Sequence, residues 1–209
     1  MRLFAAVLPP AGAVEELAGA VERLRALPGA DGLRWTGQAG WHFTLAFMGE
    51  VEDRLLPALT ERLERAARRT EPFALRIHGG GHFGDRALWA GAAGGLDGLR
   101  LLAARSDAAA RRAGVPMDEH RRYHPHLTLA RGRGGTEAAP FAKALDGFDG
   151  TRWEVAELVL VRSRLPVGGV SGEQPRYEAV SRWPLGPVGQ GPGKGRRDDP
   201  ADGPGGSGG

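Results

Sequence analysis

Apolar residues recur at two different periods along the chain, and the change of period marks out its elements. "RLFAAVL" (2–8) is a short continuous apolar run and reads as a buried strand. Residues 13–27 are apolar at 14, 17, 21, 24 and 27, the spacing of an amphipathic helix, which Pro28-Gly29 closes. "LRWT" (33–36) and "WHFTLAFMG" (41–49) read as strands. A helix over 53–69 follows, with Leu55, Leu56, Leu59, Leu63 and Ala66 on one stripe. Residues 73–79 and 86–92 read as strands paired around a Gly-rich turn, with His78 and His82 as turn residues. A helix over 95–113 is ended by Gly114 and Pro116, and "HLTLAR" (126–131) is again a strand. Strands over 153–165 and 176–185 close the body, separated by a loop holding Gly168, Gly169 and Gly172. Strands thus alternate with helices, which gives α+β or α/β layering.

The segment 186–209 holds 10 of the 34 glycines and no aromatic residue, so it has nothing with which to bury a face. It reads as a disordered Gly/Pro-rich tail, and residues 1–185 as the folded body. With 41% hydrophobic and 25% charged residues the chain is globular in composition, and no run approaches the roughly 18–20 apolar residues needed to span a bilayer. The N-terminal apolar run, Leu3–Leu8, stops at Pro9-Pro10 and is shorter than a secretory core of about 7–15 residues. The absence of cysteine excludes disulfides, thiolate zinc sites and cysteine nucleophiles, and fits a cytoplasmic protein. A net charge of +3 favours an anionic partner without naming one.

One phrase occurs twice. His42-Phe43-Thr44-Leu45 returns as His126-Leu127-Thr128-Leu129, 84 residues later and about half the body away, the spacing of a duplicated half-domain. Side chains alternate faces along a strand, so His42 and Thr44 share one face while Phe43, Leu45 and Phe47 share the other. His126 and Thr128 pair likewise, opposed by Leu127 and Leu129. A single copy reads as a satisfied core histidine beside a strand threonine; two copies read as a site. Histidine titrates near 6.5, so one imidazole can take a proton from a nucleophile while the other gives one to a leaving group. A threonine hydroxyl beside each can donate to a developing oxyanion. Such a pair suits in-line displacement at phosphorus and needs no metal.

These residues resemble the paired His-x-Thr-x motifs of the two-histidine (2H) phosphoesterases. More of the chain is similar to the bacterial and archaeal RNA 2′,3′-cyclic phosphodiesterase branch, formerly called 2′–5′ RNA ligases. The carriers are "RLFAAVLPP", "HFTLAFMGEV", "HPHLTLAR" and "ELVLVRSRL…RYEAVSRWPL", which together span roughly residues 2–185. The resemblance implies an α+β, bilobal fold of two pseudo-symmetric lobes, each an antiparallel sheet flanked by helices, with the site in the central cleft. It implies hydrolysis of a 2′,3′-cyclic phosphate RNA end to a 2′-phosphomonoester, run backwards as 2′–5′ ligation. His42 is then the proton donor to the leaving 3′-oxygen and His126 the proton acceptor that activates water. Thr44 and Thr128 hold non-bridging phosphate oxygens, and Arg131 is a phosphate clamp. Strict alternation puts Arg131 on the face opposite His126, so a twist or bulge is required; otherwise it is a solvated arginine at a strand end. The implied partner is RNA with a 2′,3′-cyclic phosphate end, tRNA fragments among them, bound by a monomer without cofactor or metal. The alternative is a non-catalytic RNA-end-binding protein of the same fold, against which the four intact motif residues argue.

Other patterns carry less. His124-x-His126 has the spacing of a zinc pair but no third ligand grouped with it. "GGSGG" (205–209) matches an esterase nucleophile motif without the strand and helix that motif requires. "RGRGG" (131–135) resembles an RNA-binding Arg-Gly segment and reads equally as a loop. The five tryptophans read as core or rim, with Trp41 nearest the motif.

Overall fold

The computed structural model describes residues 1–118, 123–132, 137–166 and 174–187. The tail from 188 onward, the 168–172 glycine loop and most of the 131–135 Arg-Gly segment lie outside the described residues.

Nine strands form two antiparallel sheets among the described residues. The four-stranded sheet has the order β3-β1-β8-β9, from β1 (Arg2–Val7), β3 (Phe43–Glu50), β8 (Glu157–Arg164) and β9 (Arg176–Pro184). The five-stranded sheet has the order β2-β6-β5-β4-β7, from β2 (Leu33–Trp35), β4 (Phe73–Phe83), β5 (Ala87–Gly94), β6 (Leu127–Gly132) and β7 (Trp153–Val155). This is the expected α+β architecture, an antiparallel sheet with helices in each half.

The predicted helices form with shifted bounds: Leu27, placed on the first stripe, lies beyond its helix and is exposed, and residues 53–55 form a 3-10 turn ahead of the second. The first, α1 (Ala11–Arg25), starts after Pro9-Pro10 and buries Ala13, Leu17, Ala20, Val21 and Leu24. The second, α2 (Leu56–Arg68), buries Leu59, Leu63, Ala66 and Ala67, while Arg68 pairs with Glu64 at i,i+4 on its outer face. The long α3 (Leu96–Arg112) buries Leu99, Leu102, Ala103, Ser106, Ala109 and Ala110. A fourth helix, α4 (Ala139–Leu145), has no counterpart in the sequence pattern; at seven residues it carries too few turns to show a period, yet it buries Phe141, Ala142 and Leu145.

The helices cross between the sheets. Although α1 follows β1, it packs with α4 against β4 of the five-stranded sheet. Conversely α3 follows β5 but packs against β3 of the four-stranded sheet, beside α2, which lies against β8 and β9. One contiguous buried cluster therefore runs through both halves, from Leu3 and Phe43 to Leu75 and Leu88.

Two expectations change. The stretch 153–165 is not one strand: it breaks at Ala156, and β7 joins one sheet while β8 joins the other. Periodicity reports which face is apolar but not which sheet a strand enters. Nor is 79–81 a turn. There β4 runs on to Phe83 across a bulge between His78 and Gly80, and Gly79 takes φ +62°, a conformation glycine adopts readily. His78 and His82 are thus strand residues. His78 Nδ1 lies 3.1 Å from Asp149 Oδ1, and His82 Nδ1 lies 3.0 Å from the Gly84 carbonyl.

Candidate active site

Each motif histidine sits one residue ahead of a strand, His42 before β3 and His126 before β6. Phe43, Leu45, Leu127 and Leu129 are buried, anchoring the strands by burial worth about 1.5–3 kcal/mol each. Thr44 and Thr128 are half-buried on the other face.

Both strands are bulged at the same step. Ala6 pairs with Thr44 but Ala5 with Ala46, which leaves Leu45 unpaired. Trp89 pairs with Thr128 but Leu88 with Ala130, which leaves Leu129 unpaired toward β5. Its carbonyl instead accepts from the Thr36 N–H at 2.8 Å. An extra residue inverts the alternation beyond it. Ala46 and Ala130 therefore continue the core, and the residues five positions after each histidine turn back toward the imidazoles. Those residues are Phe47 and Arg131. The bulge supplies the change of face that Arg131 required. It also corrects the reading of Phe47 as a core residue: the ring is 46% exposed. The Arg2 guanidinium lies over it, 4.7 Å from the centroid.

All five predicted residues, His42, Thr44, His126, Thr128 and Arg131, line one cavity of about 440 Å³. The His42 ring stacks on Phe4, with centroids 4.6 Å apart and planes at 29°, and Tyr177 meets it edge-on at 5.1 Å. Neither of its ring nitrogens has a hydrogen-bond partner among the described residues, so packing alone orients it. Burial, reinforced by the charge of His126, lowers its pKa from 6.5 to about 4.

His126 is held differently. Its Nδ1 lies 2.7 Å from the His124 carbonyl oxygen, which can only accept. We therefore assign the proton to Nδ1, which leaves Nε2 of the neutral ring as a bare acceptor. Phe83 meets the ring edge-on at 4.9 Å. Burial lowers the His126 pKa, the bond to the His124 carbonyl opposes that, and the charges of His124 and Arg131 lower it further. Arg131 also opposes the rise that burial imposes on Tyr177, so its charge acts on both sides of the cleft. The Thr44 and Thr128 hydroxyls have no protein partner among the described residues and are free to donate to a ligand.

Sequence reasoning missed the aromatic walls of the cleft. Phe4 lies on the face of β1 opposite the core residues Leu3 and Ala5, and with Ala6, Val159 and Val161 forms a second buried cluster against which Tyr177 packs. The signal was present in β1, where both alternating faces are apolar. Trp89 lies across Gly81, its partner on β4, and meets His124 at 4.8 Å. A Cβ on Gly81 would come within 2.1 Å of the Trp89 ring, so only glycine leaves room for this wall. Trp41, nearest the motif in sequence, is a core residue. Among the described residues, no three His, Asp or Glu side chains are grouped so as to hold a metal ion, and no helix is long and apolar enough to cross a membrane.

Comparison with known proteins adds the following. A family model described as the 2′-5′ RNA ligase superfamily matches residues 13–165. A Thermus thermophilus protein named RNA 2′,3′-cyclic phosphodiesterase is 31% identical over 200 residues, covering 88% of this chain and 90% of that protein. A Geobacillus stearothermophilus protein of the same name is 31% identical over 160 residues, 72% of this chain, and this chain spans only 47% of its length. Among solved structures, TT0787 of Thermus thermophilus is similar with a TM-score of 0.69 at 28% identity, covering 90% of this chain and 100% of that one. E. coli LigT complexed with 3′-AMP gives a TM-score of 0.69 at 27% identity, covering 88% and 97%.

Proposed function

The chain belongs to the 2′-5′ RNA ligase superfamily, and from that premise we propose that it is an RNA 2′,3′-cyclic phosphodiesterase whose two histidines act as acid and base. Water attacks phosphorus as His126 Nε2 takes its proton. The new P–O bond forms as the bond to the 3′-oxygen breaks, and that oxygen leaves with a proton from His42. The product is a 2′-phosphomonoester. With a 5′-hydroxyl RNA in place of water the same displacement forms a 2′–5′ linkage. Thr44 and Thr128 donate to the non-bridging oxygens, and the Arg131 guanidinium offsets the phosphate charge. No step requires a metal or cofactor.

The observation that carries this reading is the bond from His126 Nδ1 to the His124 carbonyl, because it leaves an acceptor nitrogen in the same cleft as His42. His42 takes the acid role only when protonated. With a pKa of about 4, roughly one molecule in 10³ carries that proton at pH 7 in the empty cleft. An anionic cyclic phosphate supplies the opposite charge that raises this pKa on binding. The substrate is RNA ending in a 2′,3′-cyclic phosphate, tRNA fragments included. Residues 1–185 act as one bilobal unit, as a monomer in the cytoplasm.

The test incubates a 2′,3′-cyclic nucleotide with the protein in EDTA and separates the 2′- and 3′-phosphate products by chromatography. Turnover should survive chelation, yield the 2′-phosphate, and fall at least about 10²-fold in His42→Ala and in His126→Ala. Binding without turnover would identify a non-catalytic RNA-end binder, and a 3′-phosphate product would exchange the leaving oxygen and overturn the assigned roles.

A further inference from the structure

Two more cavities lead away from the catalytic cleft. One of about 970 Å³ opens at Thr44, His126 and Arg131 and runs between α3 and the turn that joins β4 to β5. A second, of about 170 Å³, lies between α2 and α3. Ala108 and Arg112 line both, so the two form one track over α3. Its floor is made of the small side chains Ala103, Ala104 and Ala108, and its walls are largely arginine.

Not all of those arginines are free. Arg100 pairs with Asp97 at 3.1 Å, Arg111 with Asp107 at 2.9 Å, and Arg65 with Glu61. Arg105 donates to the Arg69 carbonyl and, at 2.8 Å, to Thr70 Oγ1, tying α3 to the end of α2. Arg62, Arg69, Arg86 and Arg112 have no carboxylate partner among the described residues. With Arg131, they string five cations without a carboxylate partner among the described residues from the reacting centre across α3. From Ala104 to Arg112 the helix alone spans about 12 Å. Clustered cations repel one another, and a polyanion threaded between them removes that repulsion and releases its own counterions. A floor without side chains beyond Cβ lets sugars and base faces approach the helix closely.

We propose that this arginine-lined track holds the single-stranded RNA leading up to the reacting terminus. The inference rests on, and deepens, the phosphodiesterase reading above, because a strand whose last phosphate sits between His42 and His126 must leave the cleft by some path. The track makes the protein selective for oligonucleotides over cyclic mononucleotides.

The experiment compares a 2′,3′-cyclic mononucleotide with a decaribonucleotide carrying the same cyclic end. Wild-type kcat/KM should favour the decamer at least about 10²-fold in about 50 mM salt. Contact with about four phosphates predicts that this advantage falls about 50-fold between about 50 and 200 mM salt. In an Arg62→Gln/Arg69→Gln/Arg112→Gln variant the decamer advantage and its salt dependence should be lost, while mononucleotide turnover stays within about twofold. Equal loss on both substrates, or no preference for length in the wild type, overturns the proposal. So does displacement of the decamer by polyglutamate of equal charge at the same concentration, which would mark an acidic-protein surface. Fluorescence anisotropy with a decamer ending in a 3′-hydroxyl separates the two ideas. Tight binding that the triple variant loses supports the track even if the mononucleotide is not hydrolysed, an outcome that would sink the enzyme reading alone.

Discussion

Lowering the pH from 7 to 5 presses a proton onto an imidazole that packs between Phe4 and Tyr177. The pKa of His42 falls from 6.5 to about 4, first because burial strips water from the charged form and then because His126 lies nearby. The folded protein therefore binds this proton less readily than the unfolded chain. The stability associated with neutral His42 is complete above about pH 6.5 and is lost as the pH falls toward 4. The whole difference is about 3 kcal/mol, of which about 2 kcal/mol disappears between pH 7 and pH 5. Urea unfolding followed by tryptophan fluorescence at the two pH values measures it. His42→Asn does not titrate, so the stability gap between wild type and variant should shift by about 2 kcal/mol against the wild type at pH 5. His126 is lowered in the same direction but is present in both proteins and cancels to first order. A gap that stays constant with pH would mean that His42 is solvated, and the account of its environment would fail.

Three more outcomes follow from the cleft. Gly81→Ala pushes Trp89 toward His124 and His126. It should cost about 1–3 kcal/mol in a thermal melt and at least about tenfold in kcat/KM, and unchanged kinetics would show that the wall is dispensable. Thr44→Val and Thr128→Val should each lower kcat by about 10²–10³-fold with folding intact, and a loss below about threefold would remove that hydroxyl from the phosphate contacts. Because both imidazoles are lowered in the free protein, the kcat/KM profile should be a bell with its summit on the acid side of about pH 6.5. The kcat profile should lie further alkaline, since bound phosphate raises both pKa values; coincident profiles would argue against that coupling.

The residues that line the cleft were legible because they are the exceptions to the apolar pattern. His42 and Thr44 interrupt an apolar run, and the same interruption at His126 and Thr128 turned an oddity into a pair. The long helices were legible too, since Leu59 and Leu63, or Leu99, Leu102 and Ala103, repeat often enough to show a period. What failed to show depends on partners. Phe47 and Arg131 face the cleft because Leu45 and Leu129 find no partner on the neighbouring strand, and the residues on one strand do not reveal where the next one skips. Ala156 looks like any strand residue, although the chain there passes from one sheet to the other. The exchange of α1 and α3 is invisible for the same reason. An amphipathic stripe states that a helix must cover something, not which sheet it covers.

The matching bulges also bear on directionality. Two imidazoles and two hydroxyls related by a pseudo-twofold would look the same to a substrate entering in either polarity, and a symmetric site could run its proton transfers both ways round. The repeat breaks that degeneracy at one position in each lobe, where the fifth residue after the histidine is a greasy ring on one side and a permanent cation on the other. Phe47 and Arg131 give the cleft a head and a tail. Those two residues add to an asymmetry already present in the imidazoles, of which only His126 has a hydrogen-bond partner among the described residues.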